Sequence, residues 1–263
     1  MERIDITGVP ETMLQTLYAR AQESSKPEHK IYDEKAIEIV QMLDYDFTNA
    51  GKDAVMSSGV IARTILLDRM VAQFVAANPH AAVINIACGM DTRFYRVDNG
   101  MLAWYNIDLP ETIAVRSKFL EEKGRVQMLG ISAMDEAWAQ QVDTGRESTL
   151  VVVEGLSMYL KEADVRQILS IIERHFSNVT VFFEILSPMF VGKDVEKSIK
   201  ASKASFTWGA RSGRELVSLV PGFAFVEDRS LVETMQEMYP IYKVLGKIPF
   251  IRNMSNKIAV LEK

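Results

Sequence analysis

The sequence has few of the residues that build disulfide-rich, metal-binding or nucleic-acid-binding proteins. Its 263 residues include one cysteine, which excludes an intramolecular disulfide and any metal site made of several cysteines. The three histidines, His29, His80 and His175, do not have the spacing of metal ligands. Acidic residues outnumber basic ones by 35 to 30 and no basic run is present, so we expect no nucleic-acid partner.

Long apolar runs are also missing. No stretch approaches the roughly 20 apolar residues that a membrane-spanning helix needs. The charged start MERIDITGVPET has no apolar core of the signal-peptide type. We therefore expect a cytoplasmic protein with no membrane partner, whose oligomeric state the sequence leaves open.

The sequence does contain enough apolar residues, 48% of the total, to bury one substantial core. Apolar positions at helical spacing predict a helix that starts near Pro10 and further helices over 35–43, 60–77, 111–122, 135–142 and 162–176. Short apolar runs predict strands over 81–86, 102–107, 126–131, 149–153, 179–186, 222–226 and 257–261. This alternation indicates an α/β fold with a parallel sheet between helices.

We expect a single domain with three regions. Residues 1–80 should form a helical cap, residues 81–186 the ligand-binding core, and residues 187–263 lid-like helices and closing strands. Helices that carry one apolar face need a surface to pack on. A cap over the ligand site is the arrangement we predict for the first region.

The stretch 81–109 has the pattern of a nucleoside-binding site. A buried strand runs into the small-residue turn 87–91 (ACGMD), and the next strand ends at Asp108. Small residues let the backbone approach a ligand, and an acid at that strand end accepts hydrogen bonds from ribose hydroxyls. Only Gly89 occupies a glycine position of the dinucleotide pattern G-x-G-x-x-G, which disfavours a pyrophosphate. S-adenosylmethionine has no phosphate, so we expect it as the cofactor.

Two more segments should lie beside this turn. The loop Ser132-Ala133-Met134 follows the third predicted strand, and Glu154 follows the fourth. Ligands of parallel sheets bind beyond the carboxyl ends of the strands. We therefore expect both segments on the same edge of the sheet as Asp108.

Four segments carry a resemblance to a known family. GVPETMLQTLYARAQES, NIACGMDTRFYRVDNG, WYNIDLPE and VVVEGLSMYL resemble the bacterial O-methyltransferases of the tetracenomycin type, which belong with the leucine carboxyl methyltransferases. The resemblance implies a Rossmann-like class I methyltransferase with a seven-stranded, mostly parallel sheet whose last strand is antiparallel. The chain departs from the family at Cys88, where relatives mostly have Gly or Ala, and at Ile86-Ala87, where Leu-Gly is usual.

The resemblance also implies roles for individual residues. Arg63 would hold the methionine carboxylate of the cofactor, and Arg20 is a further candidate for this role. Asp108 would bind the ribose, and Glu154 would lie near the amine and the sulfonium. The complete set of implied cofactor-binding residues is Arg63, Ala87, Cys88, Gly89, Asp91, Asp108, Leu109, Ser132, Ala133, Met134, Glu154 and Gly155.

Five residues are candidates for contact with the methyl acceptor. His29 lies in a polar hinge between predicted cap helices, Phe206 and Trp208 lie where a lid is expected, and Tyr95 and Tyr159 follow strand ends of the core. An ordinary packing or solvated role stays open for each of them.

We expect an enzyme that transfers a methyl group from S-adenosylmethionine to an oxygen of a small, polyketide-like or carboxylate acceptor. A non-catalytic module that binds the same cofactor and a nicotinamide-dependent oxidoreductase stay open as alternatives. The acceptor group stays open between a small carboxylic acid, a phenol and a protein C-terminal carboxyl group. Few candidate bases are present, which favours a carboxylic acid because it is already ionised at neutral pH.

Overall fold

A seven-stranded β-sheet forms the centre of the protein in the computed structural model, which describes residues 2–3, 12–48, 53–143, 145–192 and 205–263. In chain order its strands are β1 (Ala82–Ile86), β2 (Ala103–Asp108), β3 (Val126–Gly130), β4 (Thr149–Val153), β5 (Val179–Ile185), β6 (Ala224–Ser230) and β7 (Lys257–Glu262). They lie side by side in the order β3-β2-β1-β4-β5-β7-β6. Strands β1 to β5 pair in parallel, and β7 is antiparallel to both of its neighbours. The predicted fold class is confirmed.

Helices surround this sheet. They are α1 (Thr12–Ser24), α2 (Glu34–Met42), α3 (Ala54–Ala77), α4 (Phe94–Val97), α5 (Pro110–Arg116), α6 (Glu162–His175), α7 (Gly213–Leu219), α8 (Val232–Met238), α9 (Tyr242–Leu245) and α10 (Pro249–Met254). Short 3₁₀ turns cover Glu136–Gln141, Ser157–Tyr159 and Pro188–Phe190, and the two-residue strands Glu2–Arg3 and Leu43–Asp44 pair in parallel. Among the helices described, none is both long enough and apolar enough to cross a bilayer.

The inner strands are apolar on both faces because both faces are covered. Every residue of β1 and β4 is buried, as expected for parallel strands between two helical layers. Ile84 of β1 faces the core that α6 shares, whereas Val83 faces α3. This alternation follows from the two-residue period of a strand.

The predicted cap divides into two parts. Helices α1 and α2 pack on each other, and Leu14 and Leu17 of α1 share a cluster with Met90 in the turn after β1. Helix α3 instead lays Leu66 and Val71 on the sheet, so its C-terminal half covers a face of the sheet. Arg63 in its N-terminal half reaches the ligand site.

Several helices differ from the predictions at their ends. Helix α3 begins at Ala54 rather than near residue 60, because the Asp53 side chain caps it by accepting a hydrogen bond from the Met56 N–H at 3.0 Å. Helix α5 ends at Arg116, well before the predicted end, and the predicted helix 135–142 is a 3₁₀ turn. Helices α8 to α10 were not predicted at all, and the part of the predicted lid at residues 193–204 lies outside the described residues.

Candidate active site

A cavity of about 330 Å³ lies at the carboxyl ends of β1 to β4, where parallel sheets bind ligands. Its walls come from the turn after β1, the end of β2, the loops after β3 and β4, and helix α1. The residues predicted to bind the cofactor all line it, namely Arg63, Ala87, Cys88, Gly89, Asp91, Asp108, Leu109, Ser132, Ala133, Met134, Glu154 and Gly155, and so do Arg20 and Tyr159.

The turn after β1 brings its backbone to the cavity through two left-handed residues. Ala87 has φ 55° and Gly89 has φ 47°. A Cβ atom on Gly89 would lie 2.9 Å from the Cβ of Met13 in α1, so only glycine allows this close approach. At Ala87 the same backbone region costs about 1–2 kcal/mol, because its Cβ crowds the following carbonyl oxygen. The turn therefore forms one wall of the cavity and packs directly against α1.

Asp108 is oriented by two backbone donors. Its Oδ2 accepts a hydrogen bond from the Gly89 N–H at 2.8 Å, and its Oδ1 accepts one from the Leu109 N–H at 2.7 Å. Burial raises the pKa of Asp108, and these hydrogen bonds only partly offset that rise. A carboxylate oxygen can accept more than one hydrogen bond. Asp108 thus retains acceptor capacity for the two hydroxyl groups of a ribose.

Arg63 of α3 lies between two buried glutamates. Its Nε is 2.6 Å from Glu154 Oε1, and its Nη1 is 3.0 Å from Glu184 Oε2. The Nε contact is an ion pair without hydrogen-bond geometry. Burial by itself would lower the pKa of Arg63, but the two carboxylates outweigh it and raise that pKa. Nη2 has no hydrogen bond to the described residues and is the nitrogen left for a ligand.

Glu184 was not predicted, although it holds this cluster together. It lies on β5 with 1% exposure, accepts hydrogen bonds from the Gly155 N–H at 2.8 Å and Asn256 Nδ2 at 3.1 Å, and pairs with Arg63. An acid in the otherwise apolar strand VTVFFEI was the available signal, because a buried charge needs partners.

A second arginine joins the remaining acids of the cavity. Arg93 Nη1 is 2.9 Å from Asp91 Oδ2, and its Nη2 is 2.8 Å from Glu154 Oε2. Burial raises the pKa of both acids, but Arg93 and neighbouring arginines outweigh burial and hold both below their ordinary values. Asp91 and Glu154 therefore carry negative charge at neutral pH and are poor proton acceptors.

Two further arginines fix the turn after β1 through its carbonyl groups. Arg20 donates from Nη2 to the Met90 carbonyl at 2.7 Å and from Nε to Asp33 Oδ2 at 2.9 Å. Arg116 is fully buried and donates from Nη1 to the Gly89 carbonyl at 3.0 Å. Arg20 thus lines the cavity while it also ties α1 to the turn. Arg93 and Arg116 were not predicted as site residues.

A smaller chamber of about 100 Å³ adjoins the cavity. The two share a wall made of Thr12, Thr16, Arg63, Gly155 and Tyr159. The rest of the chamber is lined by Gln15, Met56, Gly59, Val60, Met158, Glu184, Phe206, Leu231 and Asn256. Two acceptor candidates, Tyr159 and Phe206, therefore lie beside the cofactor cavity.

The other three acceptor candidates lie outside the linings of both the cavity and the chamber, and their contact with the acceptor stays a prediction. His29 is exposed in the loop after α1, with its Nδ1 3.1 Å from the Lys26 carbonyl oxygen. The ring of Tyr95 lies outside both linings, and Trp208 packs against the core of the sheet. His29 and Trp208 lie in loops, where no periodicity fixes the direction of a side chain, so the sequence alone did not place them relative to the cavity.

Cys88 agrees with its interpretation as a small residue that fills the turn. It is 4% exposed, and burial raises the pKa of its thiol well above the usual value. A nucleophilic cysteine requires the thiolate form. The thiol is therefore inert at neutral pH.

Comparison with known proteins shows what this chain is similar to. The profile of the family described as leucine carboxyl methyltransferase matches residues 13–173. The chain is 34% identical over 249 residues to the tetracenomycin polyketide synthesis O-methyltransferase TcmP of Streptomyces glaucescens, across 93% of this chain and 92% of that protein. It is 30% identical to the S-adenosyl-L-methionine-dependent methyltransferase dpfgK of Gibberella zeae, across 86% of this chain and 83% of that protein.

Solved structures share the fold at low sequence identity. A DUF574 family protein from Streptomyces avermitilis superposes with a TM-score of 0.61 at 12% identity, covering 96% of this chain and 97% of that one. Magnesium protoporphyrin IX methyltransferase from Synechocystis, solved with bound S-adenosylmethionine, gives a TM-score of 0.51 at 9% identity, covering 89% and 99% of the two chains.

Proposed function

The chain belongs to the leucine carboxyl methyltransferase family, and from this premise we propose that it methylates a carboxylate oxygen of a small organic acid, with S-adenosylmethionine as the methyl donor. One observation carries the choice of acceptor. Apart from Asp108, which the ribose would occupy, the acids of the cavity and of the chamber beside it are already engaged by arginines, and no histidine is among their described lining residues.

The lining residues fit the three charged or polar parts of the cofactor. Asp108 offers acceptor oxygens to a ribose, since its position is fixed by the N–H groups of Gly89 and Leu109. Nη2 of Arg63 suits the methionine carboxylate, because guanidinium–carboxylate bonds are charge-assisted. The ionised carboxylates of Asp91 and Glu154 suit the amine and the sulfonium. The charges of the pocket and of the cofactor are thus complementary.

The chemistry requires alignment more than proton transfer. When bound, S-adenosylmethionine would supply an electrophilic methyl carbon to the acceptor oxygen, and the electron pair of the broken carbon–sulfur bond would leave with sulfur. Asp108 and Arg63 would hold the two ends of the donor, and α1 would cover the reacting atoms against water. A carboxylate acceptor has no proton to lose, so the residues present are sufficient.

A phenol would require a base, and the site has no good one. A phenol titrates near pH ~10, so a nearby group must take its proton at neutral pH. Asp91 and Glu154 have lowered pKa values, and Glu184 already accepts three donors. Asp91 and Glu154 are therefore weak proton acceptors, and the oxygens of Glu184 are already occupied by donors. The carboxylate remains the acceptor that this geometry supports best.

The test is a methyl-transfer assay with matched aromatic acids and phenols. The purified protein is incubated with methyl-labelled S-adenosylmethionine, and the Asp108→Ala variant serves as the control for contaminating activity. We expect acids to be labelled, the rate to be flat from about pH 6 to about pH 9, and mild alkali to release the label as methanol. Label that resists alkali, or a rate that rises with pH through one pKa, would refute a carboxylate acceptor.

A further inference from the structure

The small chamber is lined by a glutamine whose amide has no hydrogen-bond partner among the described residues. Gln15 lies on α1 with 5% exposure and lines the chamber but not the larger cavity. No hydrogen bond joins its amide to any residue in the described part of the chain. In the same helix Gln22 is exposed and donates from Nε2 to the Tyr18 hydroxyl at 2.6 Å. Of these two glutamines, the buried one is the one that lacks a partner.

The amide of Gln15 reaches the surface of the chamber. Its polar atoms are not among the fully buried, unpaired side-chain atoms of the described residues, which are Arg63 Nε and Ser148 Oγ, although the residue as a whole is buried. The Gln15 side chain lies among apolar neighbours, because Met56, Val60 and Leu231 line the same chamber. A ligand in the chamber would supply the hydrogen-bond partner that the Gln15 amide lacks among the described residues of the protein.

We propose that the small chamber receives the reacting carboxyl end of the acceptor and that Gln15 binds it, an inference that rests on the proposed methyl transfer. The Nε2–H of Gln15 donates to the carboxylate oxygen that does not attack. The other oxygen is left toward the larger cavity, across the shared wall of Thr12, Thr16 and Tyr159.

The charged groups that line the chamber already pair with one another, which leaves the Gln15 amide to bind a carboxylate there. Arg63 is the one cation among its described lining residues, and Glu154 and Glu184 already hold it. The charge of Glu184 is in turn offset by Arg63, the Gly155 N–H and Asn256. With Nη2 of Arg63 assigned to the methionine carboxylate of the donor, a carboxylate in the chamber meets no further cation among the described lining residues, and the neutral amide of Gln15 is a polar donor open to it.

The walls define the body of the acceptor next to its carboxyl group. Met158 and Phe206 add to the apolar lining. A cavity of roughly 150 Å³ accommodates benzene, so a chamber of about 100 Å³ holds the carboxyl group and only the adjoining part of a ring or a branched chain, while the rest extends into the larger cavity. The substrate class is therefore an aromatic or branched aliphatic carboxylic acid, of which only the reacting end enters the chamber.

The experiment measures binding rather than turnover, with benzoate as the probe. The protein is saturated with S-adenosylhomocysteine, and benzoate affinity is measured by ligand-observed NMR for the wild type and for Gln15→Leu, Gln15→Met and Gln15→Glu. Gln22→Leu is the matched control on the same helix. S-adenosylhomocysteine affinity and thermal midpoint are measured for every variant.

We expect Gln15→Leu and Gln15→Met to weaken benzoate binding on the order of tenfold, since a hydrogen bond to a charged group is lost. Gln15→Glu should weaken it further by repulsion, and Gln22→Leu should leave it unchanged. S-adenosylhomocysteine should bind all variants equally. The thermal midpoint of Gln15→Leu should stay level, because no hydrogen bond between described residues is lost.

Three results would overturn the proposal. They are wild-type protein that fails to bind benzoate, benzoate binding that is equal in wild type and in both apolar variants, and a loss confined to S-adenosylhomocysteine affinity in those variants. Failure of the wild type to bind S-adenosylhomocysteine would instead refute the proposed function itself. The two ideas can thus fail separately.

Discussion

Removing the carboxylate of Asp108 tests the cofactor site directly. Its two oxygens accept hydrogen bonds from the N–H groups of Gly89 at 2.8 Å and Leu109 at 2.7 Å, and they face the cavity. Asp108→Ala deletes both acceptors and leaves two N–H groups to bind water. The turn itself should keep its shape, since Arg116 still holds its carbonyl groups.

The size of the effect follows from the number of hydrogen bonds lost. A hydrogen bond to a charged group contributes about 1.5–3 kcal/mol, so the loss of one predicts roughly ten- to hundredfold weaker binding. Loss of two predicts more. Burial raises the pKa of Asp108, so this carboxylate takes up a proton at a higher pH than an ordinary aspartate. Wild-type affinity should therefore decline earlier on acidification than it would with an ordinary aspartate, and its advantage over the variant should shrink.

Calorimetry with three ligands separates the ribose contribution from the others. Asp108→Ala should weaken S-adenosylhomocysteine and adenosine by the same factor and leave adenine, which lacks the ribose, unchanged. Asp98→Ala is a suitable control, because it removes a surface carboxylate that pairs with Arg125. Unchanged affinity for S-adenosylhomocysteine, or an equal loss for adenine, would show that Asp108 does not bind the ribose.

Three further outcomes follow from the ion-pair clusters. Arg63→Lys should weaken S-adenosylhomocysteine but not methylthioadenosine, which lacks the amino-acid portion, because lysine cannot reproduce a forked donor; equal losses in calorimetry would make Arg63 purely structural. Glu184→Gln should lower the free energy of unfolding by about 3 kcal/mol or more, since it leaves Arg63 partly uncompensated, and urea denaturation with an unchanged midpoint would contradict this. The pKa values of Asp91 and Glu154 lie below 3.8 and 4.5 respectively. The two ionised carboxylates therefore stabilise the fold fully above those pH values, and this stabilisation is lost as the pH falls through their lowered pKa values. If Asp91→Asn unfolded in acid at the same pH as the wild type, this prediction would be wrong.

The position of the candidate site at one edge of the sheet was predictable, because the ends of the strands can be located in a single sequence. Alternating strands and helices imply a parallel sheet, and parallel strands place their carboxyl ends together. Asp108, Glu154 and the loop 132–134 each follow a predicted strand, so their common position needed no tertiary information. Their roles toward the cofactor remain predictions.

The ion-pair clusters were not predictable, because their partners are far apart in the chain. Arg63 meets Glu184 across 121 positions, and no local period connects a helix with a distant strand. The small chamber is completed by Asn256, which directly precedes β7 in a region where the sequence analysis gave no bounds for individual helices. Periodicity identifies which face of an element is buried, but it does not identify the charged partner on another element.

The small chamber also has a consequence for protein synthesis. The lining of the nucleoside cavity lies between Thr12 and Leu160, whereas the chamber is complete only with Leu231 and Asn256. Helix α8 reaches back across the molecule, where Thr234 Oγ1 donates to the Ala62 carbonyl at 2.6 Å. On the ribosome, the residues that face the donor therefore emerge long before those that receive the acceptor. A chain cut late in its sequence loses the acceptor side first.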